Sequence, residues 1–322
     1  MKKFWIFLIT TLFIIPTFAY AEIQASLKIN PENPAPYEPA TITLNSYDID
    51  INNSMITWSV SGKKITSGVG IKKISITVGG ANSVIPISVR AKTSAGDIIE
   101  LSINVTPQSV DLIWETPEGY VPPFYEGKSL PGEGAVIKVT ALPSMSENGK
   151  PVSANNLSYA WYVNGEYKDS ISGQGRQTVN INLDYLSNRT DVKVKVRSAG
   201  GAVSEKTITI TPHEVMPVFY VYNDILGINF SQLLNRRIET TREIAISLVP
   251  YYLSTKNFSA GADSYTWLLD SLPFTPQENT LVRLKPKENS QGTKTLSVLI
   301  SNSKRSLQKA QANLVILFDT RK

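Results

Sequence analysis

Few residues in this chain could carry out catalysis, and the sequence contains no cysteine. Without thiols, the chain has no disulfide bonds, no thiolate zinc site and no cysteine nucleophile. His213 is the only histidine, so a serine–histidine–acid triad would have to use it. It lies in the stretch TPHE, which we interpret as a solvated junction between two domains. We therefore expect no triad and no enzyme of that type.

Paired carboxylates are the remaining route to hydrolysis, because a glycosidase needs two of them about 5–10 Å apart across a cleft. Four glutamates cluster in a loop-rich stretch: Glu115, Glu118, Glu126 and Glu133. Nothing in the sequence fixes their mutual spacing. A glycoside hydrolase is therefore an alternative, and a non-catalytic protein is the expectation.

Oxygen ligands for a cation occur in the run YDIDINNS. Asp48, Asp50 and Asn52 take alternating positions there, as at the start of a calcium loop. The positions of the EF-hand glycine and bidentate glutamate hold other residues. We favour a turn in which Ile49 and Ile51 face the core, and we predict no cofactor, while Ca²⁺ binding stays open.

A basic stripe is predicted on one strand, where Lys193, Lys195 and Arg197 alternate with valines. An acidic polymer could lie along these side chains, but such charges more often keep strands from pairing with neighbours. The formal net charge is +5 and falls to +3 if Lys2 and Lys3 are removed with a signal peptide. That charge is too small to indicate nucleic-acid binding.

The segment EGYVPPFYEG contains the most suggestive surface candidates, Tyr120, Phe124 and Tyr125. Two prolines hold this stretch extended, and rigid aromatic side chains are typical of binding surfaces. These three residues are our predicted partner-binding site. The alternative is that they pack against the preceding domain.

The N-terminus has the pattern of an export signal. Lys2 and Lys3 precede an apolar run, and Ala19 and Ala21 have the small-x-small spacing of a signal-peptidase site. We predict a signal peptide over residues 1–21, with a retained anchor as the alternative. An exported chain without cysteine is more typical of a bacterium.

Beyond residue 22 the dominant hydrophobic period is two, as in ATITLN and IIELSINVT, which predicts half-buried strands. The exception is DILGINFSQLLNRRI, residues 224–238. There Leu226, Phe230, Leu233 and Leu234 predict one face of a short helix or a turn-rich loop.

The strand pattern repeats three times along the sequence. Trp58, Trp161 and Trp267 lie roughly 100 residues apart, which is the size of one sandwich domain. The closing strands IIELSINVTPQSV and VSEKTITITPHEV also match. We predict sandwiches over residues 22–106, 107–212 and 213–322, each with its tryptophan in the core.

These tryptophan strands and closing strands resemble those of immunoglobulin-like and PKD-like domains. The chain lacks the cystine of antibody domains and the Gly-Asp-Gly that PKD domains usually carry. With WETPEGYVPPFYEGK and VPYYLS, it resembles exported multi-domain Ig-like proteins of candidate-phyla bacteria. That resemblance implies an envelope role and supplies no catalytic residues.

The sequence therefore predicts an all-β, exported, non-catalytic protein that binds or spaces another protein at the periplasm, cell surface or exterior. A glycan-binding accessory module is one alternative. A subunit of a pilus or secretion assembly is another, and it would need an unpaired edge strand. The partner and the oligomeric state are left open, and no membrane span is expected after signal cleavage.

Overall fold

The computed structural model describes residues 24–47, 49–123, 125–147, 149–255, 263–289, 291–305 and 307–321. The proposed signal peptide lies outside these ranges. Within them the chain is built from strands, with two single-turn 3₁₀ helices, Ala154–Asn156 and Asp169–Ile171. None of the described helices is long and apolar enough to cross a membrane.

The first sandwich has seven strands: β1 (Ala25–Asn30), β2 (Pro39–Ser46), β3 (Met55–Val60), β4 (Lys63–Val69), β5 (Lys73–Thr77), β6 (Ile85–Lys92) and β7 (Ile98–Val105). They form two antiparallel sheets, ordered β1-β2-β5 and β4-β3-β6-β7. Alternate side chains of both sheets meet in one core around Trp58, as two packed layers require. Two facing antiparallel sheets of this kind define an Ig-like sandwich.

The second sandwich repeats this plan with ten strands: β8 (Ser109–Glu115), β9 (Val136–Ser144), β10 (Ser146–Glu147), β11 (Lys150–Pro151), β12 (Ser158–Val163), β13 (Glu166–Tyr167), β14 (Gly173–Gln174), β15 (Thr178–Asn182), β16 (Thr190–Arg197) and β17 (Val203–Ile210). Its main sheets are β8-β9-β15 and β13-β12-β16-β17, and they enclose a core around Trp161. The short strands β10 and β11 form a separate hairpin, and β14 pairs with β12.

The third sandwich has nine strands: β18 (Met216–Asn223), β19 (Gly227–Leu234), β20 (Arg237–Thr240), β21 (Ile244–Tyr251), β22 (Asp263–Leu269), β23 (Leu272–Phe274), β24 (Leu281–Leu284), β25 (Gln291–Asn302) and β26 (Lys309–Asp319). Its sheets are β19-β18-β21-β24 and β20-β26-β25-β22-β23, around Trp267. Strand β20 runs parallel to β26 and covers an edge that would otherwise be exposed.

The segment 224–238 differs from the sequence prediction, because it forms the edge strand β19 and the start of β20 rather than a helix. Pairing with β18 is interrupted between Tyr220 and Val221, so residues 230–232 bulge out of the ladder. The Asn229 side chain accepts hydrogen bonds from the backbone and hydroxyl of Ser231, which stabilises this bulge. The side chain of Leu226 is 83% exposed instead of packing on a helix face.

The three tryptophans occupy the same place in the three sandwiches, as predicted. Each is at most 1% exposed, and each is paired across its strand with a valine of the neighbouring strand. Each indole N–H donates to a backbone carbonyl two residues before a strand of the facing sheet, which is β5, β15 or β24: Trp58 to Ile71 (2.8 Å), Trp161 to Arg176 (2.8 Å) and Trp267 to Asn279 (2.9 Å). The ring therefore fills the core and also joins the two sheets.

The hairpin after each tryptophan strand also recurs. Its two-residue loop has positive φ at both positions in all three copies: Ser61–Gly62, Asn164–Gly165 and Asp270–Ser271. This is the geometry of a type I′ turn, which favours Asn-Gly and similar pairs. In the second and third copies the Asn164 and Asp270 side chains accept a backbone N–H from the adjacent strand. In the first copy the backbone N–H of Ser61 donates to the Pro86 carbonyl at 2.8 Å, and Pro86 has no N–H to donate back to the turn.

The chain divides into two compact units, residues 1–107 and 108–322. The first unit contains the first sandwich, and the second unit contains the other two. Backbone bridges join the second and third sandwiches, between Gly119 and Ser254 and between Gly132 and His213. These two sandwiches therefore form one structural body, and the strongest candidate site lies within it.

Candidate functional site in the second unit

A groove of about 680 Å³ lies between residues 120–123 and 125–130 of the second sandwich and the sheet β19-β18-β21-β24 of the third. Five tyrosines line it, so we call it the tyrosine groove: Tyr120, Tyr125, Tyr220, Tyr251 and Tyr252. Its volume falls within the roughly 300–1,000 Å³ typical of ligand pockets. Its lining is mainly apolar and aromatic.

The floor of the groove is a cluster of aromatic rings that spans both sandwiches. The ring centroid of Tyr120 lies 6.3 Å from that of Tyr251, and the hydroxyl groups of Tyr251 and Tyr220 are 3.1 Å apart. Burial raises the pKa of the Tyr120 phenol above its ordinary value. Burial, followed by the hydrogen bond to Tyr220, also raises the pKa of Tyr251. Both phenols are thus kept neutral inside the contact between the second and third sandwiches, which we call the joint.

The predicted partner-binding residues have different surroundings. Tyr120 is half-buried and packs on the third sandwich, which follows it in the chain, whereas the alternative placed these aromatics on the preceding domain. Tyr125 is 57% exposed and lines the open side of the groove. Phe124 lies outside the described residues. Of the two described members of this set, Tyr125 is the more exposed to solvent.

Lys128 is a cation at the groove that the sequence interpretation missed. Its ammonium nitrogen lies 3.3 Å from the centroid of the Trp114 ring, the geometry of a cation–π contact. Burial against the protein surface lowers the pKa of Lys128. A second missed cation, Arg236, reaches the groove from the turn between β19 and β20, where its φ is +32°.

Polar contacts hold the two walls of the groove together. The Arg305 guanidinium donates to the Glu118 carboxylate at 2.6 Å and to the Gly134 carbonyl at 3.0 Å. The Gln308 amide donates to the Glu133 carbonyl at 2.6 Å, and its oxygen accepts the backbone N–H of Ser254 at 3.0 Å. Because Gln308 is almost fully buried, these hydrogen bonds are strongly constrained. The groove is therefore preformed.

His213 takes part in the same joint, and the prediction of a solvated linker histidine is corrected. Its ring stacks on Tyr252 with centroids 4.8 Å apart. Its backbone N–H donates to the Pro131 carbonyl at 2.9 Å, and its own carbonyl accepts from Glu133 at 3.2 Å. A β-carbon on Gly132 would overlap the Tyr252 carbonyl oxygen, so the backbones approach more closely than a side chain allows.

The four clustered glutamates are not brought together around the groove. Glu115 pairs with Lys138 at 3.2 Å on the surface, and Glu118 pairs with Arg305. Glu126 is exposed, and Glu133 lines a smaller cleft beside Glu214. Among the described residues, no Asp or Glu lines the tyrosine groove. The carboxylate-lined groove that a glycoside hydrolase would need is therefore not formed there.

The acidic turn of the first unit is self-contained in its described part. The Asp50 carboxylate accepts the Asn52 backbone N–H at 2.9 Å and the Asn53 side-chain amide at 2.5 Å. These bonds, with the Asn53 side chain first, lower the pKa of Asp50. Ile51 is buried in the core as expected, while Asp48 lies outside the described residues. No group of three or more His, Cys, Asp or Glu side chains that could hold a metal ion occurs in the part of the chain that the structure describes.

The basic stripe has the predicted outward alternation, because the valines between its members are fully buried. Lys193 pairs with Glu205 at 3.7 Å and lies 5.1 Å from the centroid of Tyr162. The stripe is therefore partly neutralised by the adjacent strand β17, which weakens the case for an acidic polymer there.

The chain matches no protein-family model, and no curated protein matches its sequence. Solved structures with a similar fold include the fibronectin(III)-like modules of Clostridium thermocellum CbhA, at 15% identity over 58% of this chain and 94% of that chain, with a TM-score of 0.31. Three N-terminal domains of the bacteriophage RB49 highly immunogenic outer capsid protein match at 10% identity over 94% of this chain and 100% of that chain, with a TM-score of 0.30. A 1.5-MDa bacterial ice-binding adhesin matches at 11% identity over 94% of this chain and 98% of that chain, with a TM-score of 0.25.

The strand order and the three tryptophan cores define the class: this is an all-β chain of tandem Ig-like antiparallel sandwiches.

Proposed function

We propose that the protein is an exported, non-catalytic module of the bacterial envelope that binds another protein through the tyrosine groove. The signal peptide is removed after Ala21, and the mature chain consists of sandwiches over residues 22–106, 107–212 and 213–322. It acts in the periplasm, at the cell surface or outside the cell.

The observation that carries this proposal is the groove itself. It is preformed by two sandwiches that the Arg305–Glu118 pair and Gln308 hold together. It exposes Tyr125, and no carboxylate among the described residues lines it. An aromatic, mainly apolar groove that no described carboxylate lines supports binding and gives no support to hydrolysis by paired carboxylates.

Fractionation of cells that produce the tagged full chain tests the export part of the proposal. We expect the protein in the envelope or medium fraction, with Glu22 as the N-terminal residue by mass spectrometry. Cytoplasmic recovery of the uncut chain would contradict export.

Pull-down from the same envelope extract tests the binding part. Tyr125→Ser should lose the captured protein, because Tyr125 lines the groove. Tyr167→Ser is the matched control, since Tyr167 is a similarly exposed tyrosine on β13, away from the groove. Equal capture by both variants would mean that the partner binds elsewhere. Capture of a polysaccharide instead of a protein would favour the glycan-binding alternative.

A further inference from the structure

The charged side chains that line the tyrosine groove are all positive among the described residues. Lys128 and Arg236 line it from the two sandwiches, and within the described residues no carboxylate does. Neither cation forms an ion pair in the described part of the chain, whereas Lys138, Arg283 and Arg305 elsewhere in this unit do. Both side chains are exposed to solvent. The groove is therefore complementary to a negative charge.

The rest of the groove lining is mainly apolar. Leu130, Val218 and Leu233 line it together with the tyrosine rings, and Leu233 is one of the exposed large hydrophobic residues of the molecule. A sugar chain presents mainly hydroxyl groups, which need polar partners when they are desolvated. A peptide can place an apolar side chain on this surface and a carboxylate against a cation at the same time.

The two sandwiches and the Lys128 side chain are held in fixed positions before any ligand binds. Arg305, Gln308 and the Gly132–His213 bridge fix the second and third sandwiches against each other. The Lys128 ammonium is held over the Trp114 ring instead of moving freely in water. A preformed site of this kind reduces the ordering cost of binding an extended segment.

We propose that the tyrosine groove binds an extended acidic peptide in which an Asp or Glu is flanked by apolar or aromatic residues. Arg236 and Lys128 contact its carboxylate, and the tyrosines and Leu233 contact its apolar side chains. This inference rests on the proposed binding function and adds the chemical class of the ligand.

The test pans the immobilised full-length mature chain against a phage-displayed library of random heptapeptides. We expect the selected peptides to be enriched in an acidic residue beside an aromatic or aliphatic one. A synthetic peptide of the selected sequence should bind Lys128→Glu/Arg236→Glu at least ~10-fold more weakly than the unmodified protein, because two attractive contacts become repulsive.

The double variant Lys150→Glu/Arg242→Glu is the matched control. It makes the same change in net charge at exposed positions outside the groove, so it should bind the peptide as the unmodified protein does. Unchanged melting temperatures establish that both double variants are folded.

Selected peptides without acidic enrichment, or equal binding by the groove variant, would overturn the proposal. Binding of an oligogalacturonate in place of the peptides would also overturn it, in favour of an acidic sugar. If the peptides fail but Tyr125→Ser still abolishes capture of the envelope protein, the ligand chemistry is wrong and the binding function stands. If both experiments fail, both proposals are wrong.

Discussion

Removing the Trp161 side chain tests how the second unit is held together. The ring is fully buried at the centre of the second core, and its N–H donates to the Arg176 carbonyl at 2.8 Å. Trp161→Ala deletes that packing and leaves the carbonyl without its donor. Large aromatic truncations in cores cost about 3–5 kcal/mol.

The size of the second unit determines how far this loss of unfolding free energy lowers its melting temperature. A cooperative unit of roughly 150–250 residues shifts by about 2–4 °C per kcal/mol. Trp161→Ala should therefore lower its melting temperature by about 6–20 °C. Trp161→Phe keeps most of the ring and removes the hydrogen bond, so it should cost about 1–3 kcal/mol.

Differential scanning calorimetry of the mature chain separates the units. Because the second and third sandwiches are joined through Gln308, Arg305 and two backbone bridges, we expect one transition for both. Trp161→Ala and Trp267→Ala should lower that same transition, and Trp58→Ala should lower a different one.

Two results would refute this reasoning. A loss below about 1 kcal/mol for Trp161→Ala would mean that the ring is not a core anchor. Separate transitions moved by Trp161→Ala and Trp267→Ala would mean that the two sandwiches unfold independently.

Three other predictions concern the turns and the joint. Ser271→Gly should stabilise the protein by about 1 kcal/mol, because Ser271 has φ +68° and glycine adopts that backbone without strain; a lower melting temperature would argue against the type I′ turn. Gly132→Ala should cost about 1–3 kcal/mol by overpacking against the Tyr252 carbonyl, measured by urea unfolding, and no loss would mean that the joint is looser than described. Burial raises the pKa of Tyr251 above its ordinary value of 10.0, so its neutral form contributes stability that is present below pH 10 and lost as the pH rises above it. Tyr251→Phe should flatten that loss between pH 10 and pH 12, and an unchanged slope would assign the alkaline titration to other groups.

The sequence predicts the cores well because the determining signals are local. A tryptophan in phase with the apolar face of an alternating strand is buried when that face packs on a second sheet, and Trp58, Trp161 and Trp267 are buried in this way. The turn three residues after each is also local: Asn164–Gly165 is a strong hairpin signal. Asp270–Ser271 is weaker, and there the Asp270 carboxylate supplies the bond to Thr295 that fixes the turn.

The joint was not predictable because its partners are distant in sequence. Arg305 and Glu118 are 187 residues apart, and Gln308 and Glu133 are 175 apart. The one local signal was the glycine pair in LPGEG, since Gly132 marks a close backbone approach.

Residues 224–238 depart from the sequence prediction for a local reason. Their apolar spacing is compatible with a helix, but Asn229 stabilises a bulge in an edge strand by bonding the Ser231 backbone. The spacing of apolar residues does not reveal a turn that is stabilised by a hydrogen bond between a side chain and the backbone. The bulge also interrupts the edge that a pilus or secretion subunit would use for strand addition.

Site-specific photo-cross-linking in intact cells is the most direct test of whether the protein binds its partner at the tyrosine groove. A benzophenone amino acid replaces Tyr125 in one variant and Tyr167 in another, and the products are separated by mass. We expect one discrete protein adduct from position 125 and none from position 167. The same adduct from both positions, or none from position 125 in cells that export the protein, would contradict binding at this groove.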